Sequence, residues 1–237
     1  MNDVLAWCGA PPLPWELWGR WTLDPALFAG LALAALTLTR ATRGVPVGRR
    51  RAGWAGLGVT GAVFITPLCA LAVALFSARA AQHMVLVLVA APLIAMALPP
   101  PARRGAALLT AAFTALFWLW HLPGPYDAAL RDGALYWLSH LSLLGIAIAL
   151  WRALLADASP GSLALGAVAS AQMGLLGAVI VFAPGALYAS HLGTTAVFGL
   201  SALADQQLGG LLMWVPGGLV FLLVGVAGAL RLVRPAA

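Results

Sequence analysis

Long apolar runs constrain this chain more than any other feature of its 237-residue sequence. Each run extends for about 17 to 23 residues without strand-like alternation, and about 20 residues let an α-helix cross the hydrocarbon core of a bilayer. Only 8% of the residues are charged, against about 25% in a soluble domain. Backbone polar groups in lipid need partners within the chain. The sequence therefore predicts an all-α integral membrane protein.

The predicted architecture is a seven-transmembrane-helix bundle that forms a single transmembrane domain over residues 1–237. The spans are expected at residues 24–40, 54–76, 80–98, 105–121, 134–152, 162–183 and 208–230. An N-terminal segment, residues 1–23, precedes the first span and is expected on the outer side. Because the number of predicted spans is odd, the two termini are predicted to lie on opposite sides of the membrane.

The arginines predict the orientation, because basic residues near span ends are retained in the cytoplasm. Most of the 13 basic residues fall on one side of the predicted bundle, namely Arg40, Arg43, Arg49, Arg50, Arg51, Arg103, Arg104, Arg152, Arg231 and Arg234. Arg20, Arg79 and Arg131 fall on the other side. The N-terminus is therefore predicted outside and the C-terminus in the cytoplasm. This use of the basic residues leaves no reason to predict nucleic-acid binding.

The two cysteines do not predict a cross-linked framework. Cys8 and Cys69 are far apart in the sequence and lack the short spacing of a CxxC redox pair or a zinc knuckle. We therefore expect no disulfide framework, and treat Cys69 as a buried thiol in the outward half of the second span.

All four histidines are predicted near the outer surface, although they are spread over more than a hundred residues of sequence. His83 lies in the first turn of the third predicted span, His121 ends the fourth, His140 lies nearly two turns into the fifth, and His191 lies in the last outer loop. A single histidine in a membrane protein can simply cap a helix or bond a carbonyl. Four on one side instead indicate a metal site, since imidazole binds copper, zinc and haem iron.

Other side chains at this end could complete such a site. Met84 and Met213 offer thioether sulfur, which favours Cu(I), although core packing is the commoner role of methionine. Helical spacing also places polar groups beside the histidines, where they could orient the rings. These predicted supporting residues are Gln82, Tyr136, Asp127, Asp132 and Asp205. For the aspartates, helix capping is the simpler alternative.

Several strings between the third and seventh predicted spans carry a family resemblance. They are Gln82-His83-Met84, Trp120-His121-Leu122-Pro123, Tyr126-Asp127-Ala128-Ala129-Leu130, Ser139-His140-Leu141, and Asp205-Gln206-Gln207-Leu208-Gly209-Gly210 through Met213-Trp214-Val215-Pro216-Gly217-Gly218. In this order they resemble the CtaG-type cytochrome c oxidase assembly factors. The last string is the most specific of them.

The resemblance implies a multi-pass protein of the bacterial inner membrane that helps to build haem-copper oxidases and has a suspected part in supplying copper. Its expected partners are oxidase subunits and the lipid bilayer, and a homo-oligomer is compatible with it. Together with the histidines, it predicts a transient copper site formed by His83, His121, His140 and His191, assisted by Met84 or Met213. Copper is the expected ion, and zinc or haem is less favoured.

Two alternatives compete with copper delivery. A b-type haem protein would use His83 and His140, the pair predicted at helix depth. A scaffold would hold oxidase subunits through its helix surfaces and need no metal. A transporter is disfavoured because the middle of every predicted span lacks Asp, Glu, Lys, Arg and His. No GxSxG or HExxH string occurs, so an enzyme is not predicted.

Overall fold

All regular secondary structure in the described part of the chain is helical, as the apolar runs predict. The computed structural model describes residues 7–99, 105–156 and 159–233, with the backbone alone at 231–233. The α-helices are α1 (Pro25–Ala41), α2 (Val47–Ile65), α3 (Leu68–Ala74), α4 (Phe76–Ala97), α5 (Ala106–Leu119), α6 (Pro123–Arg131), α7 (Gly133–Ala156), α8 (Pro160–Val181) and α9 (Ala202–Val233). Short 3₁₀ turns occur at Leu17–Gly19, Ala189–His191 and Ala196–Phe198.

Four of these helices are long and apolar enough to cross a membrane by themselves: α4, α7, α8 and α9. The bent pairs α2–α3 and α5–α6 raise the number to six if each pair is one span. Helix α1 is apolar but has only 17 residues. The all-α class is thus confirmed, whereas the seven-span count and the orientation stay predictions. Of the arginines used for orientation, Arg103, Arg104 and Arg234 lie outside the described residues, as does the side chain of Arg231.

Prolines cause both bends. The residue before a proline is pushed out of the helical region into an extended conformation, and proline itself fits the first turn of the helix that follows. Thr66 before Pro67 has ψ 167°, and the axes of α2 and α3 differ by 52°. Leu122 before Pro123 has ψ 138°, and α5 and α6 differ by 71°. Each bend lies near the histidine-bearing end of the bundle.

Helix α4 is the most buried of the long helices and forms the centre of the bundle. Within its apolar window 61% of the residues are buried, against 22% in α9. It begins at Phe76, four residues before the predicted span, so His83 lies two turns into the helix rather than in its first turn. The part of α4 just after His83 is a π-helical segment, Leu86–Ala90. The Val87 carbonyl there accepts a hydrogen bond from the Trp151 indole at 2.7 Å.

Small residues let α8 and α9 pack in close contact, as expected for glycine pairs in membrane helices. A Cβ atom built on Gly177 would come 2.7 Å from the carbonyl oxygen of Gly210, and a Cβ on Gly210 would meet the carbonyl of Gly177 at the same distance. A Cβ on Gly209 would overlap the Phe76 ring at the start of α4. The backbones of α8 and α9, and the start of α4, therefore approach as closely as these glycines allow.

The expectation of no disulfide is wrong. Cys8 and Cys69 are bonded to each other, with their Cα atoms 5.6 Å apart. Spacing in the sequence could not reveal the pair because the chain near Trp7 and Cys8 folds back over the bundle. Trp7 stacks on Tyr136 with ring centroids 5.4 Å apart. The sulfur of Cys69 is therefore not a free ligand.

We predict that the two thiols of the native protein become reactive only after reduction. Protein denatured in SDS without reductant should take up no maleimide-polyethylene glycol, and reduced protein should take up two equivalents, visible as a gel shift. The variant Cys8→Ser is the control, since its Cys69 should be labelled once with or without reductant. Full labelling of unreduced wild-type protein would contradict the disulfide.

Candidate functional site

Three of the four histidines meet in the interior of the bundle, near the bends. His83 comes from α4, His121 from the turn between α5 and α6, and His140 from α7. The ring centroid of His83 is 5.2 Å from that of His121 and 5.0 Å from that of His140, in both cases edge to face. All three side chains are almost fully buried. We call these residues the histidine triad.

Backbone carbonyls orient two rings of the histidine triad. His121 Nδ1 lies 2.6 Å from the Phe117 carbonyl oxygen, and His140 Nδ1 lies 2.8 Å from the Tyr136 carbonyl oxygen. Each carbonyl accepts a hydrogen bond from Nδ1–H, one helical turn back in the chain. A neutral imidazole held in this way presents its lone pair at Nε2. Metal-binding histidines are commonly oriented by such a hydrogen bond on the other ring nitrogen.

His83 is the third member of the cluster, and one of its two ring nitrogens has no hydrogen-bond partner. Its Nδ1 lies 3.4 Å from His121 Nε2, while its own Nε2 is buried and has no hydrogen-bond partner. Buried polar atoms are normally paired, so an orphaned ring nitrogen calls for an explanation. Two imidazole nitrogens bound at about 2.1 Å to one tetrahedral ion would be about 3.4 Å apart. The 3.4 Å between His83 Nδ1 and His121 Nε2 equals this spacing and is also that of a long hydrogen bond, while the unpaired Nε2 of His83 is a different atom.

The triad is nevertheless not a finished metal site. Within residues 7–99, 105–156 and 159–233, no group of three or more His, Cys, Asp or Glu side chains is arranged to hold a metal ion. The rings pack directly against one another, so an ion that used all three would require them to turn. The arrangement can supply up to three imidazole ligands but does not form a closed cage.

Two predicted supporting residues contact His140. The Gln82 Oε1 atom lies 3.3 Å from His140 Nε2, a contact that is not a hydrogen bond while His140 carries its proton on Nδ1. The Gln82 amide nitrogen donates to the Val63 carbonyl at 3.4 Å. Tyr136 accepts from His140 through its carbonyl and packs its ring against the imidazole, with centroids 4.2 Å apart. Gln82 and Tyr136 thus lie next to a candidate ligand, and their part in supporting a metal site stays a prediction.

His191 lies apart from the triad in the loop between α8 and α9, with different partners. Its Nδ1 lies 3.2 Å from the Ala74 carbonyl oxygen, and its Nε2 lies 2.7 Å from the Tyr126 hydroxyl. The neighbouring Tyr188 hydroxyl donates to the His121 carbonyl at 2.8 Å. Burial lowers the pKa of His191 to about 4, partly offset by its hydrogen bond to Ala74. These hydrogen bonds join the loop to the C-terminal residue of α3 and to Tyr126 in the first half of α6.

The two predicted sulfur ligands lie in the apolar core. Met84 and Met213 are both buried within the main hydrophobic cluster. Apolar packing accounts for their positions, and their part in a metal site stays a prediction. Cys69, by contrast, is occupied by its disulfide.

The three predicted aspartates all bind backbone amides. Asp127 accepts from the amides of Ala189 and Ser190, and Asp132 accepts from Leu135 at the start of α7. Asp205 belongs to the first turn of α9, yet its carboxylate accepts from the amides and the hydroxyl at the start of α4, at Phe76 and Ser77. It therefore caps a neighbouring helix rather than its own.

Sequence reasoning missed one buried residue beside the triad, Arg79. It is only 1% exposed and lies one helical turn before His83 on α4. Its Cζ atom is 5.2 Å from the ring centroids of both Tyr126 and Tyr136. The spacing of Arg79, Gln82 and His83 places them on one helix face, but only the tertiary structure reveals that this face is buried.

These features define a class: a helical protein with several helices long and apolar enough to span a membrane, and with a buried histidine cluster near one end. The family model described as "Cytochrome c oxidase caa3 assembly factor" matches residues 30–108 and 105–235. The chain belongs to this family. The match includes the triad and both α4 and α9. No curated protein and no solved structure matches the chain.

We predict that Asp205→Asn destabilises the protein by about 1–3 kcal/mol, because buried amide donors at the start of α4 would then face a weaker acceptor. Asp132→Asn is the control. Asn caps an exposed helix start as well as Asp does, so this variant should change the free energy of unfolding by only a few tenths of a kcal/mol. Unfolding by SDS titration measures both. Equal effects of the two variants would contradict the assigned role.

We also predict that His191 makes stability fall with acid. Its pKa is about 4 in the folded protein and about 6.5 in an unfolded chain. The unfolded state therefore binds more protons between these values. The contribution is complete above pH 6.5, is lost as the pH falls toward 4, and amounts to roughly 3 kcal/mol. In unfolding experiments from pH 7.5 to 4.5, His191→Gln should have a flatter pH profile than wild type. Parallel profiles would refute the prediction.

Proposed function

We propose that this assembly factor binds copper transiently at the histidine triad and passes it to a subunit of the oxidase under construction. The ion is cargo and not a permanent cofactor. The observation that carries the proposal is the convergence of His83, His121 and His140 from three separate helical elements, with one buried ring nitrogen unpaired. Neutral imidazoles are suitable copper ligands.

The triad offers at most three imidazole ligands, and this incomplete ligand set supports delivery of the ion rather than storage. A complete four-ligand cage retains its metal, as structural zinc sites do. Here the backbone carbonyls of Phe117 and Tyr136 orient the rings of His121 and His140. No backbone carbonyl holds the ring of His83, and its Nε2 has no hydrogen-bond partner. A recipient with additional ligands can therefore remove the ion. Met84, Met213 and His191 stay predicted ligands, although they lie outside the triad.

The disulfide supports the predicted orientation. Disulfides form in oxidising compartments such as the periplasm, and Cys8 and Cys69 lie against Tyr136, which also packs on His140. We infer that the triad lies near the periplasmic side of a bacterial inner membrane, with the N-terminal segment on the same side.

The packing of the triad supports copper over haem. Haem iron with two histidine ligands has one ring on each face of the porphyrin. His83 and His140, the pair predicted for that role, contact each other directly with ring centroids 5.0 Å apart. A porphyrin does not fit between rings in this arrangement.

A scaffold without metal is the second candidate. It is favoured by the lack of a ready-made metal-binding group among the described side chains. The exposed apolar surface of α9, which includes Leu219, Leu222 and Leu223, could then contact oxidase subunits. The two functions differ in whether the triad is needed.

Copper binding by the purified protein separates these candidates. Protein in detergent is titrated with Cu(I) under anaerobic conditions against a chromogenic chelator, comparing wild type with His83→Ala, His121→Ala and His140→Ala. We expect one equivalent of copper in the wild type and an affinity lowered by at least about 100-fold in the variants, since even supporting residues contribute 10–100-fold. His191→Ala is compared with them: an unchanged affinity would confine the site to the triad, and a lowered affinity would add His191 to it, as the sequence predicts.

The same variants are then assayed in cells for copper in the assembled oxidase. Loss of oxidase copper in the triad variants, with normal amounts of the membrane protein, is the expected result. A wild type that binds no copper, combined with triad variants that still support oxidase assembly, would overturn copper delivery and favour the scaffold.

A further inference from the structure

A large cavity lies at the end of the bundle opposite the histidine triad. It has a volume of about 1110 Å³ and is bounded by the C-terminal ends of α4 and α7 on one side and by α8 and α9 on the other. Its walls are apolar except at Ser162, Ser170 and two arginines, Arg49 and Arg152. The volume exceeds the roughly 300–1,000 Å³ of typical small-molecule pockets, so the cavity has room for a ligand of lipid size.

The apolar wall of this cavity has the depth of one membrane leaflet. Along α9 the wall extends over the 11 residue steps from Gly218 to Ala229. At a rise of about 1.5 Å per residue this is about 17 Å, and half of the hydrocarbon core of a bilayer measures about 15 Å. Leu222 and Val226 on the same wall are exposed. The cavity is therefore open toward the surrounding lipid, and an acyl chain fits along α9.

Backbone carbonyls hold the two arginines beside the cavity. Arg49 donates from Nε and Nη2 to the carbonyls of Met96 and Leu98, at 2.7 and 3.0 Å. Arg152 donates from Nε and Nη2 to the carbonyl of Pro99, at 3.1 and 2.7 Å. Both guanidinium groups thus use the same edge for the backbone. The edge formed by Nη1 and Nη2, which can bind an oxyanion through two parallel N–H groups, is not used in these bonds.

The charges of these arginines have no acidic partner among the described residues that line the cavity. Of the seven acidic residues in the chain, Asp157 alone lies beside the ends of these helices in the sequence, and it is outside the described residues. Retention of basic residues in the cytoplasm accounts for exposed arginines, but not for an apolar cavity beside two of them. Basic pockets between membrane helices are typical binding sites for anionic lipid headgroups.

We propose that this cavity binds one anionic phospholipid, with its headgroup at Arg49 and Arg152 and an acyl chain along α9 toward Gly218. A free phosphate would bind the guanidinium groups but leave the apolar wall uncovered. An apolar protein segment would cover the wall but supply no negative charge. A phospholipid does both. The site lies at the other end of the bundle from the triad and does not depend on the copper proposal.

The direct test is native mass spectrometry of the delipidated full-length protein in detergent, titrated with phosphatidylglycerol or with zwitterionic phosphatidylethanolamine. We expect one phosphatidylglycerol to bind about 10–30-fold more tightly, the preference expected from two arginines near a membrane surface. The preference should be lost in Arg49→Gln/Arg152→Gln. It should persist in Arg50→Gln/Arg51→Gln, a control pair of exposed arginines that do not line the cavity. Equal preference in the two double variants, or none in the wild type, would overturn the proposal.

A second variant covers the case in which the first double variant does not fold. Gly225→Leu leaves both arginines in place and adds a side chain at the cavity wall, where a Cβ meets nothing within 4 Å. Its affinity for phosphatidylglycerol should fall by about tenfold or more, because the added side chain competes with the acyl chain for space. Unchanged affinity would refute binding in the cavity.

Photocrosslinking locates the lipid and separates it from a free anion. With phosphatidylglycerol that carries a diazirine near the end of one acyl chain, we expect label on the peptides that contain Ser170 and Phe221, in the deep part of the cavity. An excess of inorganic phosphate should not reduce this label. Label confined to helices that do not line the cavity, or displacement of the lipid by phosphate, would overturn the proposal.

Discussion

The site depends on how the start of α4 is held. This helix carries Arg79, Gln82 and His83 into the most buried part of the bundle, and its first amides lie where water cannot satisfy them. The carboxylate of Asp205, from the first turn of α9, accepts these donors. Gly209, one turn later on α9, leaves room for the Phe76 ring. The interaction fixes the depth and rotation of α4, and with them the position of His83.

The other two members of the triad are held by local backbone features. Pro123 ends α5 and turns the chain, so His121 lies in the bend and donates to the Phe117 carbonyl one turn back. His140 uses the same kind of bond within α7. Carbonyl anchoring suits a histidine in an apolar environment, because it satisfies one ring nitrogen without adding a charge. The other ring nitrogens face neighbouring side chains: His121 Nε2 lies 3.4 Å from His83 Nδ1, and His140 Nε2 lies 3.3 Å from Gln82 Oε1.

The sequence predicts the helical class and the approximate positions of the long helices, because apolar length is a local property. It does not predict the break at Pro67 inside the expected span 54–76, or the separate helix α6. It also places the four histidines near one end. It does not reveal which of them meet, since that depends on the order of helices in the bundle: His83 reaches His121 and His140, whereas His191 binds Tyr126. The Cys8–Cys69 bond and the capping of α4 by Asp205 join residues distant in the chain, so neither spacing nor composition could predict them.

Copper K-edge X-ray absorption of the Cu(I)-loaded protein tests the central claim most directly, because it identifies the atoms around the ion. Binding at the triad predicts two or three imidazole nitrogens at about 2.0 Å, with the multiple-scattering pattern of histidine rings. That pattern should be lost in a variant with His83, His121 and His140 all changed to Ala. Copper surrounded only by sulfur or solvent ligands, or an imidazole signal that survives in that variant, would contradict the proposal.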